Sequence, residues 1–274
     1  MENKKSSDLW RKKTYRLVKN LLSAITFYQP KLILIIPEST RFGNHLYFYL
    51  HIWKERSRGI NAYISHNENM EYWFQFFPQL KEFVIHKNEI KKLDRKIKNS
   101  SFYQNYNIDF TATELKLFID KYLSLEIHKI QDCDFDLVIN VRRGDFYISE
   151  HVGMYGFNQR EYIKTALLKV DFRSIKNVVV VSDDITWCKT NLSFIREYVK
   201  EFTFQKNEPI INFLTLARGK KIILANSTFS YWAAYINENS SDNTEIIAPN
   251  FHAHHVQKGK PIQATPMWEL IDVT

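Results

Sequence analysis

The sequence predicts an α/β protein made of two units facing each other across a cleft, with a parallel sheet in the C-terminal unit. Three observations carry that prediction. First, Leu137-Val138-Ile139-Asn140-Val141, Val178-Val179-Val180-Val181 and Lys221-Ile222-Ile223-Leu224-Ala225 are apolar, β-rich runs of the kind buried in parallel sheets. Second, each run stops abruptly at a polar cluster and is followed by a segment that reads as helix, the alternation that builds doubly wound sheets. Third, 274 residues with 45% hydrophobic and 15% aromatic side chains suffice for one large core or two modest ones.

Taken in order, residues 1–31 form a basic amphipathic arm. Lys4, Lys5, Arg11, Lys12, Lys13, Arg16 and Lys19 face only Glu2 and Asp8 within the first 30 residues, so the arm carries five of the eight excess positive charges. Leu9, Trp10, Leu17, Leu21, Leu22 and Ile25 recur at near-helical spacing. Such a helix suits an anionic membrane surface, or packs its apolar side on the body of the protein. It lacks the pattern of a signal peptide, and Gln29, Pro30 and Lys31 separate it from the apolar residues 32–36. Residues 32–130 form the second unit: a strand at 32–36, a turn over 37–44 and a helix over 46–56. The aromatic run at 72–77 reads as core, and the charged stretch 87–98 as a solvated helix or loop. Residues 131–274 form the third, with strands at 131–141, 177–181 and 221–225 and helices near 160–169 and 186–200. Asp132, Asp134 and Asp136 lead into the first of those strands as turn residues rather than metal ligands. Cys133 and Cys188 are too few for a disulfide framework and lack zinc spacing, which places the chain in a reducing, cytoplasmic compartment.

The chemistry gathers at the strand ends. Arg142-Arg143-Gly144-Asp145 closes the first run, where planar guanidinium forks suit phosphate oxygens and glycine lets the backbone turn beside a ligand. Ser182-Asp183-Asp184 closes the second, as helix caps or as partners for a ribose or base edge. Asn226-Ser227-Thr228-Phe229 closes the third, and a helix starting there aims free N–H groups above the sheet.

These segments resemble the α-1,2-fucosyltransferase family. Its His-x-Arg-Arg-Gly-Asp-Tyr motif is similar to residues 140–146, its Ser-Asp-Asp segment to 182–184, and its Asn-Ser-Thr-Phe-Ser-Trp-Trp-Ala-Ala signature to 226–234. The family's Gly-x-x-Gly-Asn-Gln segment resembles Thr40-Arg41-Phe42-Gly43-Asn44-His45, and its terminal Pro-x-x-Trp resembles Pro266-Met267-Trp268. The resemblance implies a two-domain, GT-B-like glycosyltransferase with a Rossmann-like C-terminal donor domain and GDP-fucose as donor. It implies donor contacts from Asn140, Arg142, Arg143, Asp183, Asp184, Asn212, Asn226, Ser227, Thr228 and Phe229, and cleft contacts from Arg41, Gly43, Asn44 and His45. The sequence departs from the family at Asn140 for histidine, His45 for glutamine, Asn212 for an acidic residue, and Gly219-Lys220-Lys221 for Cys-Lys-His. Neutral Asn140 and Asn212 point to an altered donor preference if either reads the base or sugar.

On this reading the sugar moves in a single inverting displacement from GDP to a galactose-type hydroxyl of a glycan or lipid-linked oligosaccharide of the bacterial surface. Arg143, helped by Arg142 and the N–H groups of residues 227–229, stabilises the charge growing on the leaving phosphate. Asp145 orients the arginines, and Glu38, His45 and Glu150 are candidates for accepting the hydroxyl proton. No metal or other cofactor is called for, since arginine and helix termini neutralise the diphosphate. A transferase using another sugar nucleotide is the nearest alternative. A non-enzymatic nucleic-acid-binding protein, suggested by a pI of about 9.2, fits less well, because charge outside the arm is near balance and no nucleic-acid motif is present.

Overall fold

The computed structural model describes residues 14, 28–98, 101–123, 135–148, 150–241 and 244–273. Among them, ten strands form two sheets in which every pairing is parallel. The N-terminal sheet contains β1 (Leu32–Ile35), β2 (Ala62–Ser65), β3 (Val84–Ile85) and β4 (Arg95–Lys98), in the order β3-β2-β1-β4. The C-terminal sheet contains β5 (Leu137–Val141), β6 (Val178–Ser182), β7 (Thr203–Gln205), β8 (Lys221–Ile223), β9 (Glu245–Pro249) and β10 (Glu269–Ile271), in the order β10-β9-β8-β5-β6-β7. The helices are α1 (Phe42–Ser57), α2 (Glu71–Phe74), α3 (Ala112–Tyr122), α4 (Val152–Tyr155), α5 (Gln159–Leu167), α6 (Ile185–Asn191), α7 (Pro209–Arg218) and α8 (Thr228–Ser240). This is the α/β plan with parallel sheets in two units that the sequence predicts.

The C-terminal sheet winds outward in both directions from its centre. From β5 the chain adds β6 and β7 on one side, then returns to add β8, β9 and β10 on the other. The switch point lies between β5 and β8, which places a crevice outside their C-terminal ends. The arginine pair and the start of α8 follow those two strands.

β5 and β6 are buried along their whole length because both faces are covered. Val138, Val179 and Val181 point into one core with Phe213 and Leu214 of α7 and Trp232 and Tyr235 of α8. Leu137, Ile139, Val178 and Val180 point into a second core with Tyr162, Ile163 and Leu167 of α5. The first core does not stop at the sheet boundary. It continues through Leu46, Tyr47 and Leu50 of α1 to Leu34 and Ile64 of the N-terminal sheet. Tyr47 packs edge-on against Trp232 at 5.1 Å, and its hydroxyl meets that of Tyr235 at 3.0 Å. Aromatic pairs of this kind contribute about 0.5–1.5 kcal/mol each beyond area burial. The helices between the sheets are thus joined by one core, and the crevice is confined to their N-terminal ends.

Several boundaries differ from the sequence reading. The 87–98 stretch holds a single 3-10 turn (Lys87–Glu89) and the edge strand β4, rather than a helix or loop. Three of the four β4 residues are exposed, so charge replaces alternation, as on edges guarded against further pairing. α1 starts at Phe42, four residues earlier than its apolar pattern indicates, and α6 ends at Asn191 instead of running to 200. Asp136 anchors the start of β5 by accepting from the Lys176 and Asn177 backbone at 2.9 and 3.0 Å, while Lys220 Nζ lies 2.7 Å away. The lysine hydrogen bond and those amides hold its carboxyl down at about 2. Asp132, Asp134, Cys133 and most of the basic arm lie outside the described residues.

Candidate functional site

At the end of β5 the two arginines are held in different ways. Arg142 lies 2.6 Å from Asp145 and 2.7 Å from Asp183, with its guanidinium also over the Phe146 ring. Arg143 is sandwiched between the rings of Tyr147 at 3.9 Å and Trp187 at 4.1 Å. Gln159 spans the pair, donating to the Arg142 carbonyl at 2.8 Å and accepting from Arg143 at 3.4 Å. The stacking fixes the plane of the Arg143 fork, and only a planar cation can be held this way.

The adjacent carboxylates serve the arginines. Asp183 accepts from the Arg143 backbone at 2.8 Å while pairing with Arg142. Asp184 caps α6 by accepting from Trp187 N at 3.0 Å and lies 3.5 Å from Arg143 Nε. The cap is therefore Asp184, not Ser182 or Asp183, because Asp183 is drawn to the arginines. Gly144 is required beside them: a Cβ there would collide with the Asp183 carboxylate. Asp145 orients Arg142, as the sequence indicates.

The third motif meets the N-terminal unit. Ser227 stands at the N-cap of α8 and Arg41 at the N-cap of α1, and neither side chain makes a capping hydrogen bond. Neither first turn holds an acidic residue. The two ends touch: a Cβ on Gly43 would lie 2.5 Å from Phe229 N and 2.6 Å from Thr228 Oγ1. Glycine is what lets the helices approach so closely. Two positive dipole ends without side-chain caps meet at this contact, with the hydroxyls of Ser227 and Thr228 beside them. Arg41 is exposed there, and among the described residues no carboxylate pairs with it.

Several other residues singled out by sequence turn inward. Asn140 is buried, donating to Val181 O at 3.1 Å and accepting from Ser230 Oγ at 2.5 Å, so both ends of its amide serve the fold. Asn226 is fully buried and donates to Tyr155 O and His252 O, both at 2.9 Å, tying the end of α4 to the loop after β9. Asn212 closes the loop before α7 through Asn207 and Gln205. Asn44 is half-buried, with its Oδ1 accepting from Gln104 at 2.8 Å. His45 is sealed, with no partner on either ring nitrogen. Burial first, and the Arg41 charge second, push it down to about 3. It is not an available base, because its position on α1 faces the core. Glu38 and Glu150 are both exposed.

Sequence reasoning missed Gln159, Tyr147 and Trp187, which immobilise Arg143. Two of them follow a motif by only a few residues, and an aromatic so placed was the available signal. Gln159 carries none, since only folding brings its helix beneath Arg143.

The description of glycosyl transferase family 11 matches residues 64–272 of this chain. The chain is 26% identical over 184 residues to an α-1,2-colitosyltransferase of Escherichia coli, covering 62% of this chain and 63% of that protein. It is also 26% identical over 101 residues to the O-antigen biosynthesis glycosyltransferase WbnK of Escherichia coli, covering 36% of this chain and 33% of that protein. It thus spans less than two thirds of either relative's length. Solved structures similar to it include the E. coli heptosyltransferase WaaC with ADP-2-deoxy-2-fluoro heptose, at TM-score 0.47 and 10% identity over 88% of this chain and 92% of that one. NodZ α-1,6-fucosyltransferase co-crystallized with GDP is similar at TM-score 0.45 and 10% identity, over 75% of this chain and 92% of that one. Matched by a single family description over most of its length, the chain belongs to glycosyl transferase family 11.

Proposed function

We propose that this chain transfers fucose from GDP-fucose, in α-1,2 linkage, to a galactose-type hydroxyl of a surface-polysaccharide acceptor, by a single inverting displacement. The observation that carries the reading is the contact between the two uncapped helix N-termini, Gly43 of α1 against Thr228 and Phe229 of α8. That junction suits the diphosphate, and Arg41 supplies beside it a cation with no carboxylate partner among the described residues. Arg143, held flat by Tyr147 and Trp187, meets the charge that grows on the β-phosphate as the sugar leaves, with Arg142 as its neighbour. Protein groups supply this neutralisation, so turnover persists in EDTA.

A second reading replaces fucose with another GDP-linked sugar. It is favoured by Asn140, which stands at the family's histidine and is committed to Val181 and Ser230, and by the colitosyl transfer named for one relative. The basic N-terminal arm would hold the enzyme at the inner face of an anionic membrane. Among the described residues no helix is long and apolar enough to cross one. Acceptor-dependent release of GDP, compared for GDP-fucose, GDP-mannose and other sugar nucleotides, tests the proposal. Turnover with GDP-fucose supports the first reading and turnover with another GDP-sugar the second. Release from none of them, or from UDP-sugars alone, overturns both.

A further inference from the structure

We propose that His66, oriented by Glu71, takes the proton from the acceptor hydroxyl, an assignment that rests on the sugar-transfer reading above. His66 is the residue immediately after β2, and its backbone N donates to Ile85 O at the end of β3 at 2.9 Å. Its Nε2 lies 2.6 Å from Glu71 Oε1, and its ring stacks on His86 at 4.3 Å with planes 25° apart. A carboxylate is an acceptor only, so Nε2 carries the proton and Nδ1 keeps its lone pair. Among the described residues nothing bonds Nδ1. A base held by a carboxylate, with its other nitrogen open, has the arrangement that proton abstraction needs.

The placement suits the acceptor side. Ile36 N, at the end of β1, donates to Ser65 Oγ at 3.2 Å. The side chains of Asn67 and Asn69 donate to the carbonyls of Pro37, Glu38 and Thr40 at 3.1–3.3 Å, stitching the His66 loop to the segment that runs into α1. Trp73, two residues beyond Glu71, stacks on Phe42 at 3.6 Å and reaches Phe229 at 6.2 Å, the first-turn residues of α1 and α8. Glu71 and His86 are the titratable groups in contact with the ring, and Glu38 and Glu68 stand in the two stitched loops. By contrast, His45 is sealed, and no hydrogen bond orients the carboxylate of Glu38 or Glu150 among the described residues.

The step balances. The acceptor oxygen bonds to the anomeric carbon, and the carbon–oxygen bond to the nucleotide breaks with its electron pair passing to the leaving phosphate. The hydroxyl proton moves to Nδ1, and the Glu71 carboxylate stabilises the imidazolium until the proton returns to solvent.

His66→Gln should lower GDP release from GDP-fucose, with methyl β-galactoside as acceptor, by about a hundredfold or more, the range for loss of a positioned base. GDP affinity by calorimetry should stay within about twofold. The acidic limb of the kcat/KM pH profile should vanish. Glu71→Gln keeps the imidazole but removes the carboxylate that orients it, so kcat should fall with KM unchanged. Nitrogen NMR of the histidine rings reads the site without any acceptor: the Nε2–H tautomer is required at neutral pH, and Nδ1–H overturns the assignment. Wild-type turnover in His66→Gln, or wild-type kcat in Glu71→Gln, overturns it as well while leaving GDP binding intact. A wild-type protein that binds no GDP instead removes the sugar-transfer reading beneath it.

Discussion

The arginines that follow β5 and the arginine that precedes α1 differ in the company they keep. Arg142 faces Asp145 and Asp183, and Arg143 faces Asp184 and lies between two rings. Arg41 faces no carboxylate among the described residues and stands where two helix N-termini add to its charge. Paired cations shape a loop and hold a fixed plane, whereas an unpaired one keeps its charge for a ligand. The motif most visible in sequence is therefore partly scaffold, and among the described residues a cation without a carboxylate partner stands at the junction beside it.

The largest expected effect tests the scaffolded side. Arg143→Ala should reduce turnover by at least about a hundredfold, the scale of losing one preorganised charge-stabilising donor. Arg143→Lys should rescue little, because an ammonium reproduces neither the fork nor the stack. Wild-type turnover in a folded alanine variant would mean that Arg143 only shapes the loop.

The next effect tests the junction. Gly43→Ala places a methyl group against the Phe229 backbone, so it should destabilise the fold by about 1–3 kcal/mol, as overpacking does, and weaken GDP binding with it. Gly153→Ala meets no atom within 4 Å and serves as the control, with little change in either. Equal melting temperatures for the two variants would show that the helices do not need their close approach.

A further effect concerns what is sealed beneath the junction. Burial holds His45 at about 3 and His252 at about 4, against 6.5 for a free ring. Both are neutral in the fold and gain protons on unfolding once the pH falls below about 6.5. Stability is therefore full above that value and declines as the pH drops toward the folded values, by about 1.4 kcal/mol per pH unit for each ring. Chemical denaturation between pH 7 and pH 4 should show the decline, and His45→Gln should make it shallower. An unchanged slope in that variant would place His45 in contact with solvent.

How much was legible follows from the same contrast. β5 and β6 announce themselves because burial on both faces leaves an unbroken apolar run ending at a polar cluster. In the N-terminal sheet, β2 and β3 are only four and two residues long, and β4 is Arg-Lys-Ile-Lys, so no period survives. The motif residues were found, but the roles of some were not. Asn140 and Asn226 read as ligand contacts, yet Asn140 spends both ends of its amide, and Asn226 its amide nitrogen, on partners far away in sequence. His45 read as a candidate base facing the cleft, but its helix starts earlier than the apolar pattern shows, and the ring lies in the core. Pairing is a property of three dimensions, and a string of residues does not reveal which charges are already spent.

Titration of GDP into the wild-type protein and into Arg41→Ala, followed by calorimetry, tests the central claim most directly. The account predicts that the wild type binds GDP and that the variant binds it at least about tenfold more weakly, the loss expected for one charge-assisted contact, with an unchanged melting temperature because Arg41 is exposed and unpaired. Equal affinity in the two proteins, or no binding by the wild type, would contradict it.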